Sequence, residues 1–370
     1  MSVKINKLLE LLNNIAPNSL AEEWDNTGLL LDTGKDDINK IMVTLEINEA
    51  VIKEAVEQRI DLIICHHPFI FKGLKSVRGN DYTGRMLINL IKEDIAVFTA
   101  HTSFDSALGG NNDYLGQIIG LDNMKPLLTQ NIEDFYKLVV FVPVEALKKV
   151  HKAICDAGAG KINDYKDCTF YQSGTGTFTP LENADPYIGK INEFEEVEEF
   201  RLESIVPKST LHNVIREMLI SHPYEEPAYD IYKLENTIKS VGLGRTGELK
   251  EEATLEDICR LLKTKLKIDE PIPFVGNKEQ KIKKIALCTG SGAEFLSKAA
   301  EIGCQLYITG DVKYHDAQLA LQLGIALIDA KHFHTEKIFS ENMAKQLIDV
   351  LGGSVAIIES KANINPFQYI

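Results

Sequence analysis

No two cysteines in this chain have Cys-x-x-Cys spacing; the six, Cys65, Cys155, Cys168, Cys259, Cys288 and Cys304, are scattered. That pattern argues against a zinc ribbon or a disulfide framework and leaves reduced, mostly buried thiols. A basic surplus is also missing: the formal net charge is −14. This argues against the sequence-independent phosphate attraction on which nucleic-acid binders rely. No apolar run reaches the length of a membrane span. The opening Met1-Ser2-Val3-Lys4-Ile5-Asn6-Lys7 leads into an amphipathic helix rather than a signal-peptide core. A cytoplasmic protein without a membrane partner is expected.

What is present suits a soluble globular chain: 370 residues, 44% hydrophobic and 25% charged, enough for about two domains. Ile5, Leu8, Leu9, Leu12 and Ile15 form one helical stripe. Residues 41–45 read as a buried strand, Asn48 as the cap of a helix ending near Arg59, and residues 61–65 as the next strand. This β-α-β unit favours a parallel sheet. A third strand, residues 95–100, is followed by a bend at Gly109-Gly110-Asn111-Asn112 and a helix from Asp113.

Near residue 127 the pattern changes. Residues 137–142 read as a strand and 144–156 as a helix. Two short strands follow at 168–171 and 176–178, then a strand at 200–206, a helix capped by Ser209, and a strand at 228–234. That order predicts a split β-α-β sandwich, inserted between two parts of an α/β domain. The acidic run 193–199 reads as a solvated face. From about residue 245 the first style returns, with a helix at 255–266 and strands at 284–288, 306–308 and 325–328.

Chemistry collects at strand ends. Leu62-Ile63-Ile64-Cys65 runs straight into His66-His67-Pro68, where proline stops the ladder. Neighbouring side chains on an extended backbone diverge, so two ions side by side suit His66 and His67 better than one. His101 and Asp105 follow the third strand, His315 follows Thr309-Gly310-Asp311, and His332 follows the last strand. Ligands of open parallel sheets bind at such carboxyl ends. His332 and Glu336, four apart, share a helical face, whereas His334 faces away. Imidazole nitrogen with carboxylate oxygen suits zinc, iron, manganese or nickel and excludes a thiolate site. Taken singly, each signal has a plain reading: a solvated loop for the two histidines, a turn for Asp105, surface electrostatics for His332 with Glu336. Gly290-Ser291-Gly292 before a helix could cradle a phosphate, although it lacks a full dinucleotide or P-loop fingerprint.

Trp24-Asp25-Asn26-x-Gly28-Leu29, Cys65-His66-His67-Pro68, His101-Thr102-x-x-Asp105, Thr309-Gly310-Asp311-x-x-Tyr314-His315-Asp316-Ala317 and His332-x-x-x-Glu336 together resemble the NIF-three-like family. Its members are called dinuclear metal-centre proteins or GTP cyclohydrolase I type 2 homologues. The longer subtype's insert is matched by Gly174-Thr175-Gly176-x-Phe178-x-Pro180, His222-Pro223-Tyr224-Glu225-Glu226-Pro227 and Gly244-Arg245. The resemblance implies metal ligands at His66, His67, Asp105, His332 and Glu336, holding two divalent ions per chain (zinc, iron or manganese). It also implies a toroidal homohexamer and a PII/CutA-like insert. Two positions depart from the family pattern: Lys331 stands where glycine is usual, and Glu46 where aspartate is usual.

The expected architecture is a discontinuous three-layer α/β metal-binding domain, residues 1–127 and 245–370, interrupted by an α+β ferredoxin-like insert at 128–244. The expected function is a metal-dependent hydrolase opening the imidazole ring of GTP, with water activated at the centre attacking C8. His101 or His315 would shuttle protons and Lys331 would contact phosphates. Two alternatives are a metal-dependent phosphoesterase and a non-enzymatic metal-binding or regulatory hexameric scaffold.

Overall fold

The computed structural model describes residues 2–130, 134–162, 165–235 and 241–368. The chain forms two compact units, residues 1–130 with 241–370, and residues 131–240.

The discontinuous unit contains two large sheets, an arrangement that strand patterns do not distinguish from one sheet. The first runs Ala356–Glu359, Lys40–Thr44, Leu62–Cys65, Ala96–Thr99 and Gly28–Leu31. Its first four strands are parallel and the last is antiparallel. Alternation along these strands divides their side chains between two cores. Ile41, Val43, Leu62 and Ile64 pack on Leu8 and Leu12 of helix Ile5–Ile15 and on Phe339 and Met343 of helix Ile338–Leu351. Met42, Ile63 and Val97 pack on Val51, Ile52 and Ala55 of helix Glu49–Glu57. Asn48 caps that helix through a bond from the Val51 amide to its side chain. Strands buried on both faces read as continuous apolar runs, as this sheet does.

The second sheet runs Phe274–Val275, Ala326–Asp329, Leu306–Thr309, Lys281–Leu287, Arg245–Thr254 and Leu121–Pro126. Its three central strands, Ala326–Asp329, Leu306–Thr309 and Lys281–Leu287, are parallel. Ile285, Leu306 and Ile308 bury against Ile258 and Leu262 of helix Leu255–Lys265, while Tyr307 and Leu327 bury against Leu296, Ala299 and Ala320. Both sheets therefore present carboxyl ends of parallel strands followed by short polar turns.

The unit of residues 131–240 has β-α-β-β-α-β order. Its antiparallel sheet runs Tyr229–Leu234, Phe135–Pro143, Glu195–Pro207 and Thr169–Phe178. Leu138, Val140, Val142 and Leu202 face Val150 and Ile154 of helix Leu147–Asp156 and Val214 and Met218 of helix Lys208–Ser221. Four local expectations need correction. The two short strands at 168–171 and 176–178 are one strand, Thr169–Phe178, because Ser173-Gly174-Thr175 continues the pairing with Glu195–Pro207. Ser209 is not a cap but the second residue of a helix whose N-cap is Pro207. The acidic run is largely strand, and its last member, Glu199, is only 7% exposed. In the discontinuous unit the helix expected from Asp113 begins at Asn111.

A buried fork ties the two segments of the discontinuous unit together. Arg245, 1% exposed, donates to Asp113 Oδ1 and Oδ2 at 2.5 and 3.0 Å. Its remaining donors reach the carbonyls of Gly242, Gly244 and Ala107 at 2.6, 2.8 and 2.9 Å. All five guanidinium donors are used, which a lysine could not reproduce. Arg245→Ala leaves Asp113 buried without its counter-charge and is expected to cost about 3–5 kcal/mol, with Arg245→Lys recovering only part. Urea unfolding followed by Trp24 fluorescence checks this, since Trp24 is the only tryptophan and lies in this unit; an unchanged midpoint would contradict it.

Candidate metal centre

Three turns meet at one place. His66 and His67 directly follow strand Leu62–Cys65. Asp105 lies in the helix Thr102–Ser106, one turn after strand Ala96–Thr99. His332 and Glu336 begin and end the helix His332–Glu336, which follows strand Ala326–Asp329 of the other sheet. Candidate ligand atoms lie within 4.8 Å of one another in three groups: His66 with Asp105 and Glu336, His67 with His332 and Glu336, and His66 with His67 and His101.

Three of the four histidines have one nitrogen hydrogen-bonded away from the centre. His66 Nδ1 bonds the Ala100 carbonyl at 2.8 Å, His332 Nδ1 meets Asp311 Oδ2 at 2.7 Å, and His101 Nδ1 meets Asp25 Oδ1 at 2.9 Å. His67 Nδ1 faces Glu46 Oε2 at 3.8 Å, longer than a direct hydrogen bond. Fixing one nitrogen on an acceptor turns the other inward as a lone pair, the usual arrangement behind a metal-binding histidine. Asp105 is held similarly: Oδ1 accepts from Asn111 Nδ2 at 3.1 Å and Thr289 Oγ1 at 3.4 Å, while Oδ2 lies 3.6 Å from His66 Nε2.

Glu336, 4% exposed, sits at the middle. Oε1 is 3.7 Å from His66 Nε2, and Oε2 is 2.8 Å from His67 Nε2 and 2.9 Å from His332 Nε2. Glycines let it approach. A Cβ at Gly290 would overlap Glu336 Oε1, and one at Gly310 would overlap the His332 backbone. The Gly290-Ser291-Gly292 turn is therefore not a phosphate cradle. Its Gly290 and Gly292 amides already donate to Thr335 Oγ1 and Thr309 Oγ1, both at 3.0 Å, and its glycines serve close packing.

The electrostatics are those of charges enclosed together. Burial opposes ionisation of Glu336, but its contacts with His332, His66 and His67 outweigh that and hold its carboxyl well below the usual range. Burial, with the neighbouring Glu336 charge, pushes Asp105 up. Burial disfavours charge on His67, yet Glu336 and Glu46 raise it to about 10; His332 is raised to about 9 against the same penalty, chiefly by Glu336.

The donor set fits a divalent cation. His66 Nε2 and His332 Nε2 are buried without a well-formed hydrogen bond. Separations of 3.6 and 3.7 Å around His66 Nε2 match atoms sharing one ion at about 2.0–2.2 Å each. Cys65 is not in the set: its Sγ faces Thr99 and burial pushes its thiol up to about 12.

Of the residues expected here, His66, His67, His101, Asp105, His332 and Glu336 are brought together. His315 is not: helix Tyr314–Leu323 starts one residue before it, leaving its ring exposed and stacked edge-on against Tyr314. His334 pairs with Glu270 at 2.9 Å, apart from the centre. Lys331 adopts φ 66°, a backbone region that favours glycine, and its Nζ lies 3.2 Å from Asp329. Sequence reasoning passed over Asp25, Asp311, Asn111 and Thr289 as orienting groups. Asp25 and Asp311 stood inside quoted motifs, the only signal that could have found them.

A family profile, Duf34/NIF3 (NGG1p interacting factor 3), matches residues 3–366. The chain belongs to the Duf34/NIF3 family. Among Duf34/NIF3 relatives, a Bacillus subtilis protein named GTP cyclohydrolase 1 type 2 homolog is 39% identical, over 100% of this chain and 99% of its own length. A Bacillus cereus protein described as related to NIF3 is similar in structure, with TM-score 0.84 and 37% identity over 100% of this chain and 99% of that one. A Staphylococcus aureus structure gives TM-score 0.83 and 30% identity over the same shares.

Gly290→Ala is expected to push Glu336 off its position and lower zinc affinity by about 10–100-fold, with unchanged far-ultraviolet circular dichroism. Competition against a chromophoric chelator measures it; wild-type affinity in the variant would contradict the glycine's assigned role.

Proposed function

We propose that this chain holds two divalent ions, one by His66, Asp105 and Glu336 and one by His67, His332 and Glu336, and acts as a hydrolase on a nucleotide. The observation that carries the reading is the divided carboxylate of Glu336, with Oε1 towards His66 and Oε2 towards His67 and His332. When bound, paired ions of this kind supply Lewis acidity and make water acidic enough to act near neutral pH. Opening of the guanine imidazole ring is the specific reaction, suggested by the name of the Bacillus subtilis relative.

The protein's own groups have distinct parts. Asp25 fixes His101 by its Nδ1, leaving the other ring nitrogen to accept and return a proton. Trp24, 59% exposed, lies with its ring 6.0 Å from those of His101 and Phe71, and offers a flat base an apolar platform. Lys331 lines, with Lys313, Tyr314 and Phe274, a cavity of about 330 Å³ that starts one residue from His332. Asp329 lines it too and pairs with Lys331 Nζ at 3.2 Å, so phosphate oxygens would meet Lys313 and share Lys331 with that carboxylate. Phosphoester hydrolysis is a second reading, because the same lysines and ions would serve an in-line displacement. The resemblance and the β-α-β-β-α-β order of residues 131–240 also support a PII/CutA-like insert, and the resemblance alone implies a toroidal homohexamer.

Incubation of the metal-loaded protein with GTP separates these readings by product. Ring opening by one water leaves C8 as a formamido group, which a second water releases as formate, whereas phosphoester cleavage releases inorganic phosphate. Formate release should fall by about 100-fold or more in Glu336→Gln and show a raised KM in Trp24→Ala. Formate release at the wild-type rate by Glu336→Gln would rule out the proposed centre; absence of either product would leave a metal-binding scaffold.

A further inference from the structure

Two motifs remain unused by that reading, Gly174-Thr175-Gly176-x-Phe178-x-Pro180 and His222-Pro223-Tyr224-Glu225-Glu226-Pro227. In the unit of residues 131–240 residues of both line one cavity of about 350 Å³, within the usual range for small-molecule sites. Phe141, Phe178, Tyr187, Ile188 and Tyr224 supply its apolar lining. The rings of Phe178 and Tyr187 each lie 6.1 Å from that of Tyr224.

Into this apolar space projects Glu199, 7% exposed. Its place is prepared by Gly176, where any Cβ would overlap Glu199 Oε2. No lysine, arginine or histidine is among the lining residues, and among the described residues Glu199 forms no ion pair; nearby Arg201 is engaged with Glu203 at 2.8 Å. The buried Tyr224 hydroxyl lies beside Glu199, near enough for a hydrogen bond to its carboxylate though not a well-formed one, and burial together with that contact raises its pKa. A buried carboxylate without a counter-charge is costly, and a ligand cation would offset that cost.

The walls are fixed in place rather than loosely apposed. His222 is a buried neutral ring that donates from Nε2 to the Phe141 carbonyl at 2.9 Å and accepts from the Tyr224 amide at Nδ1 at 3.1 Å. The Asp185 amide donates to Glu225 Oε1 at 3.0 Å, latching the loop that carries Tyr187. Glu225 and Glu226 add negative charge at the rim, which discourages phosphates and carboxylates.

We propose that this cavity binds a small organic cation, an amine or amidine on a compact apolar body, with its nitrogen on Glu199 and the Tyr224 hydroxyl and its face against Phe178, Tyr187 and Tyr224. Rings disposed around a desolvated cation add cation–π attraction to the charge-assisted hydrogen bond. The site is separate from the metal centre in sequence and chemistry and does not require it.

Isothermal titration calorimetry of the full-length protein tests this with benzamidinium and phenethylammonium, and with benzoate as an anion of similar shape. Either cation should saturate one site per chain. Benzoate should bind at least about tenfold more weakly. Glu199→Gln, close in shape, should lower cation affinity about tenfold or more, whereas Glu198→Gln, exposed on the same strand, should not. Ala184→Phe, which fills the cavity from its lining and leaves the Glu199 carboxylate in place, should abolish binding with circular dichroism unchanged. Equal affinity for benzoate, equal losses at Glu198 and Glu199, or no saturable heat from either cation at millimolar concentration would overturn the proposal.

Discussion

A carboxylate buried among three histidines is the constraint on which the discontinuous unit depends. Glu336 cannot be enclosed as an isolated charge, so its surroundings must supply compensating groups at close range. They come from both sheets: His66 and His67 from the end of one, His332 from the end of the other. Close approach has a steric requirement as well, and Gly290 and Gly310 meet it by leaving no Cβ between the turns and the helix His332–Glu336. The fork of Arg245 on Asp113 ties the two segments of this unit together in the fold.

Orientation extends the constraint outward. Ala100, Asp25 and Asp311 each take one nitrogen of a histidine, so the fold itself aims the other nitrogen inward. Lys331 and Glu46 both bear on this centre. Lys331 holds a positive φ where glycine would be unstrained, and its ammonium group lies beside Asp329. Glu46 reaches within 3.8 Å of His67 Nδ1 and steadies it at longer range than the other orienting groups.

Much of this was legible in sequence because it is carried by local grammar. An apolar run broken by His66-His67-Pro68 marks a strand end, four-residue spacing places His332 and Glu336 together, and Asn48 before an amphipathic stretch marks a helix start. What was not legible is tertiary. Apolar strands buried on both faces look alike whether they form one sheet or two. Asp25 and Asp311 acquire their roles only when distant turns converge. His315 shares a motif with Asp311, but the first turn of helix Tyr314–Leu323 leaves it exposed. Glu199 was hidden by its acidic neighbours, since a run of glutamates reads as a solvated face and period-2 alternation buries just some of its members.

The most direct measurement is the number of ions bound per chain, by elemental analysis after equilibrium with zinc, in the wild type and in variants that strip one side of the centre at a time. Two ions are expected in the wild type, one in Asp105→Ala, one in His332→Ala, and neither held tightly in Glu336→Ala. A single ion in the wild type, or two retained by Glu336→Ala, would contradict the shared carboxylate at the heart of the account.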